Sequence, residues 1–371
     1  MSAITRFFFK FLILAAMLVG LPLGGVYWAA YPVSRYLEFP PQIHYVEHAP
    51  FSWIAFVLYA VLISACLIPV FISASRSHKE VKSQTESSQS FPWWGWLGIF
   101  GGGMAWVLGW TRFEWFADLQ PHTFTPLWLA FIVVINGLAY RHNGHCLLLD
   151  RPLYFLLLFP VSAAFWWFFE YLNRFVQNWY YIGPEFSAWE YFWYATLPFS
   201  TVLPAVLSMR DWILSTHWLR NKFRKFRSIR ITNPKALATL ILAASAAGLA
   251  LIGVWPNIFF PLLWVSPLLI IISLQTLMGE EHIFGKLATG NWSGVVAAAL
   301  AAVICGVFWE MWNYFSLAKW EYSIPFVHRF QIFEMPLLGY AGYLPFGLQC
   351  AVIGSMLEKV VFAKNEIKIH P

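Results

Sequence analysis

Charge is scarce in this chain. Only 11% of its 371 residues are Asp, Glu, Lys or Arg, under half of the roughly 25% usual in soluble domains. A water-soluble fold of this composition would leave Trp and Leu on its surface, which excludes an ordinary cytosolic enzyme, and a disordered chain is excluded by the same numbers. The four cysteines, Cys66, Cys146, Cys305 and Cys350, fit neither a disulfide framework nor a zinc-ligand spacing. Long polar segments are missing too. The longest, Arg210 to Pro234, spans 25 residues, short of the roughly 40 a chain needs to fold unaided. There is no Walker motif, serine-hydrolase elbow or dinucleotide fingerprint, and the histidines are too sparse for an in-membrane haem or di-iron centre.

What fills the chain instead is apolar: 59% hydrophobic residues, with 35 Phe, 22 Trp and 16 Tyr. A bilayer core needs about 20 apolar residues of helix, and ten stretches qualify, near 7–30, 51–73, 94–111, 124–140, 152–171, 191–209, 236–254, 259–278, 292–315 and 337–357. Their apolarity runs all round rather than in a stripe, and runs such as Leu237 to Val254 suit no β-barrel. The sequence predicts an all-α, polytopic membrane helical bundle. Gly101-Gly102-Gly103 marks a close helix approach in its third span.

Basic loops resist translocation, and with the N-terminus inside, 19 of the 24 Lys and Arg fall on the inner side, leaving Arg35, Arg112, Arg174, Lys319 and Arg329 outside. This alternation predicts a multi-pass protein of the plasma (inner) membrane with both termini cytoplasmic. A cleaved signal peptide is the weaker reading of residues 7–30, because the run is long and no small-x-small site ends it. The basic cluster from Arg220 to Arg230 reads as a topogenic loop touching anionic lipid, not as a nucleic-acid site.

The third to sixth spans resemble the seventh to tenth. Phe124-Thr-Pro126-Leu127 and Phe259-Phe260-Pro261-Leu262 open the fourth and eighth. Glu170-x-x-Asn173-x-Phe175 and Glu310-x-x-Asn313-x-Phe315 close the fifth and ninth. Trp179-Tyr-Tyr181 and Trp320-Glu-Tyr322 follow, then Glu190 and Glu334, then Leu197-Pro198-Phe199 and Leu344-Pro345-Phe346. Matched features in one order predict a tandem, parallel repeat of four helices about an axis along the membrane normal. The chain then divides into two N-terminal helices (1–73), a flexible Ser-, Gln-, Lys- and Glu-rich cytoplasmic linker (74–92), a first repeat (93–209), a basic cytoplasmic loop (210–235) and a second repeat (236–371).

The acid and amide of each Glu-x-x-Asn share one helix face, and an acid within a span costs on the order of 3 kcal/mol at the bilayer centre, so Glu170 and Glu310 are the candidate catalytic residues. Asn173, Asn313, Trp166, Trp167, Trp309 and Trp312 are candidate substrate-binding residues. A protonated carboxyl walled by such rings is a proton donor, and the rings can stabilise a cation. The structural alternative pairs Glu170 with Arg174 and assigns the tryptophans to an interfacial belt. On the inner side His145, His282 and Glu281 would offer nitrogen and oxygen metal ligands if the two copies bring them together, although loop histidines beside basic residues are mostly solvated, and the cofactor is left unknown by the sequence. Three readings follow. In the first, an aromatic cavity near the outer leaflet binds a lipid or isoprenoid-like molecule or acts on it by acid catalysis. In the second, the protein transports protons, cations or small solutes. In the third, it is an assembly subunit with a membrane-protein partner.

Overall fold

The computed structural model describes residues 3–41, 43–75 and 89–366. Most of the expected linker, and Lys368 at the C-terminal end, lie outside the described residues. Eight helices are long and apolar enough to cross a bilayer: α1 (Phe8–Trp28), α2 (Trp53–Ser75), α4 (Phe124–Asn143), α5 (Pro152–Val176), α6 (Ala188–Ser215), α7 (Pro234–Leu251), α9 (Ser293–Tyr314) and α10 (Leu337–Phe362). They fall on eight of the ten expected stretches. The other two are also helical. Helix α3 (Trp93–Trp110) carries five Trp and six Gly, which lower its hydropathy, and α8 (Leu262–Leu277) is only 16 residues long. Helix α2 buries almost nothing: Ile54, Val57, Leu58, Val61 and Leu62 are all exposed. Apolar surface on this scale is tolerated against lipid, not water. The chain has the architecture of an integral membrane protein.

Local signals set the helix ends. Pro152 starts α5 and Pro234 starts α7, where a missing N–H costs nothing. Asn233 caps α7 by accepting from the Ala236 N–H at 3.1 Å. Ser187 and Glu190 close a capping box on α6, so Glu190, matched with Glu334 in the sequence, serves its own helix. Helix α5 ends on Gln177 in the left-handed region, φ 48°, a conformation that costs a non-glycine residue on the order of 1 kcal/mol.

In the packing, α3 lies on α4 and α7 on α8, while α5 meets the first half of α6 and α9 meets α10. The second half of α6 runs through the centre, touching α4, α5 and α9; residues 201–209 are all buried there. Helices α9 and α10 approach so closely that a Cβ on Gly347 would sit 2.0 Å from the Ala298 carbonyl. Helix α1 packs on α7 and reaches α8, with Lys10 paired to Glu280.

Beyond the last turns of α5 and α9 run two short strands, β1 (Trp179–Ile182) and β2 (Lys319–Tyr322). They pair antiparallel, Trp179 opposite Tyr322 and Tyr180 opposite Glu321. The segments 29–41 and 43–52 between α1 and α2 cross the same end of the bundle as a strap, irregular apart from one helical turn at Ser34–Leu37. It is tied down residue by residue. Gln177 accepts from the Tyr45 and Val46 N–H groups at 2.9 Å each and donates to the Ile43 carbonyl at 2.8 Å. Asn257 holds Glu47 and Ala49, and Ala49 and Ser52 exchange backbone bonds with Phe326.

Candidate functional site

The two Glu-x-x-Asn turns put their amides to the same use. Asn173 donates to the Trp179 carbonyl at 2.8 Å and accepts from the Asn178 N–H at 2.8 Å. Asn313 donates to the Trp320 carbonyl at 2.7 Å and accepts from the Trp320 N–H at 2.9 Å. Each amide therefore stands in for a neighbouring strand and fixes the chain where it leaves the helix. The carboxyls are both buried, Glu170 to 6% and Glu310 to 0% exposure, but their surroundings differ. Oε1 of Glu170 collects three donors, the indole N–H groups of Trp166 at 3.1 Å and Trp179 at 3.0 Å and the Tyr181 hydroxyl at 2.6 Å. Oε1 of Glu310 accepts from the Tyr322 and Tyr343 hydroxyls, both at 2.7 Å, and its Oε2 is buried with no hydrogen-bond partner among the described residues. Burial and the adjacent Glu310 push the Tyr322 phenol well above its ordinary value, so it remains a donor.

Glu170 lines a cavity of about 620 Å³, within the range of small-molecule sites. Its apolar side is a run of indoles. The ring centroids of Trp166 and Trp179 are 6.4 Å apart, those of Trp179 and Trp264 5.5 Å, and those of Trp166 and Trp309 6.4 Å. With the N–H groups of Trp166 and Trp179 spent on Glu170, those two rings turn hydrocarbon toward the space. Tyr343 stacks on Trp309, centroids 6.0 Å apart, and also lines the cavity. The strap contributes Arg35, Glu38 and Tyr45, α5 contributes Arg174, and β2 contributes Lys319. Lys319 is held by Glu334 at 2.6 Å and Glu321 at 3.6 Å.

Of the residues expected from the sequence, Glu170, Asn173, Trp166 and Trp309 line this cavity; Glu310, Asn313, Trp167 and Trp312 do not. Trp167 donates to Thr196 at 2.9 Å and packs on Phe192 and Phe199. Trp312 belongs to a second aromatic cluster with Trp106, Trp128 and Phe131. Glu170 forms no ion pair with Arg174, whose guanidinium donates instead to the Glu38 carbonyl. His145 lies beside Asp150 at 3.4 Å and His282 beside Thr276 at 3.2 Å; among the described residues no group of His, Cys, Asp and Glu is arranged to hold a metal. Trp179 and Tyr181 were visible in the sequence as matched motif members, and only their role was missed. Arg35 and Tyr45 gave no signal, because the strap has no periodicity.

One further pin holds the strap. His48 donates from Nε2 to the Val176 carbonyl at 2.7 Å, which leaves Nδ1 to accept from the Ser323 hydroxyl. Burial holds this imidazole below its usual basicity. Compared with known proteins, the chain matches no family model, no curated protein and no solved structure.

Proposed function

We propose that this is a multi-pass protein of the plasma (inner) membrane, termini cytoplasmic, that holds a lipid or isoprenoid-like molecule in the cavity beneath the strap. Glu170 is its proton-active group, and Glu310 backs the site from behind Trp309. The observation that carries this reading is the cavity itself: an indole floor, one buried carboxyl and a charged rim, placed at the ends of lipid-facing helices. A carboxyl beside rings that favour a developing cation can bind such a molecule or protonate it. Native mass spectrometry of gently extracted protein tests the reading. A lipid-sized adduct that disappears in Trp264→Ala supports it. Protein that carries no adduct and takes none up from a total lipid extract would sink it.

The architecture behind the site is, on this reading, a tandem parallel repeat, α3 to α6 and α7 to α10. Three observations favour it: the matched pairing of α3 on α4 and α7 on α8, the equivalent work of Asn173 and Asn313, and a strand pair in which Tyr180 faces Glu321. Those two are the middle residues of the matched Trp-x-Tyr motifs, where an axis relating the copies would pass. Single cysteines placed at Glu185, Arg329 and Lys225 in a cysteine-free background test the threading. Labelling of the first two from outside and the third from inside is expected, and any other pattern removes the repeat and the orientation together.

A further inference from the structure

The rim of the cavity holds two guanidinium groups that the protein leaves largely unused. Each arginine has five N–H donors. Arg35 spends one, on the Tyr36 hydroxyl at 2.7 Å, and its Nε is buried without a partner. Arg174 spends one, on the Glu38 carbonyl. Neither has a carboxylate within ion-pair distance among the described residues, in contrast to Lys319. Arg35 is held rigidly, its guanidinium 4.7 to 5.1 Å from the ring centroids of Tyr31, Tyr36 and Tyr45, so it loses little freedom on binding. The wall is not purely cationic, since Glu38, Glu170 and Glu185 also line it, but Glu170 is already engaged by three donors. On the threading proposed above only five Lys and Arg are carried to this side, and three of them, Arg35, Arg174 and Lys319, line the cavity.

Resting on the binding function proposed above, we infer that the ligand is an amphipath with an anionic oxyacid head, a phosphate or carboxylate, whose head is gripped by Arg35 and Arg174 while its apolar chain lies over Trp166, Trp179, Trp264 and Trp309. A guanidinium can bind two oxygens of a carboxylate or phosphate at once.

The test compares three probes on the purified full-length protein in nanodiscs, read by Trp fluorescence: farnesyl monophosphate, farnesol and inorganic phosphate. Farnesyl monophosphate should bind at least tenfold more tightly than farnesol, and Arg35→Gln with Arg174→Gln should bring it down to the farnesol value while leaving farnesol unchanged, which also shows that the variant is folded. Equal binding of the two isoprenoids by the wild-type protein overturns the anionic head but leaves the lipid cavity standing. Inorganic phosphate binding as tightly as farnesyl monophosphate overturns it in favour of a free anion. Binding of none of the three removes the lipid cavity as well.

Discussion

The turn at Glu170 and the turn at Glu310 are built from one pattern, yet only their asparagines are interchangeable. Both amides peg the start of a strand with a pair of hydrogen bonds of nearly equal length. The carboxyls differ. Glu170 is saturated on one oxygen and borders the cavity; Glu310 does not reach it, is bonded to Tyr343, and has one oxygen unpaired among the described residues. A scaffold demand, closing the helix end, fixes the amide in both places, whereas the acid answers to whatever lies beside it.

Three measurements press on that contrast. The largest effect is expected from Asn173→Ala and Asn313→Ala, each of which strips two partners from the backbone at a helix end and should cost about 2–4 kcal/mol. Thermal unfolding in detergent should show the two losses within about 0.5 kcal/mol of each other; a gap beyond 2 kcal/mol would mean the amides do different work. Next come the isosteric acid changes. Glu170→Gln should weaken retention of the co-purified ligand by about tenfold, roughly 1.4 kcal/mol, while Glu310→Gln stays within about threefold, as read by adduct occupancy in native mass spectra. The reverse ranking would move the proton-active role to Glu310. The smallest effect belongs to His48. Its folded-state basicity lies below the ordinary value near 6.5, so the unfolded strap binds more protons and the pin is fully effective only above that pH. Stability is lost as pH falls through about 6.5. Amide exchange at 43–49, corrected for intrinsic rates, should rise about threefold between pH 7.5 and 5.5, and Ser323→Ala should shift the profile; an unchanged profile in both proteins would rule the pin out.

Much of this was readable without coordinates. Continuous apolar runs bounded by Arg, Pro and Asn located the helices because lipid permits no other pattern. Helix α3 shows where that reasoning thins: its tryptophans and glycines score as polar, although Trp96 and Phe100 face outward as any lipid-exposed residue does. The matched motifs marked the helix ends that carry Glu170 and Glu310. They could not separate Trp309, which lines the cavity, from Trp312, three residues along the same helix, because both neighbours of a buried acid look alike in sequence. The strap was invisible for a different reason. Most of its contacts run from a side chain, of Gln177, Asn257 or His48, to the backbone, and such pairings obey no repeat.

Those tethers also set an order of assembly. The strap leaves the ribosome before residue 53, but its anchors at Asn257, Ser323 and Phe326 lie more than 200 residues downstream. Lys10 must likewise wait for Glu280. The indole floor itself is incomplete until the ninth helix delivers Trp309, and such distant closures are slow to form. The strap's first ties, to Gln177 and Val176, can form with the fifth helix, and its last, to Ser323 and Phe326, only after the ninth.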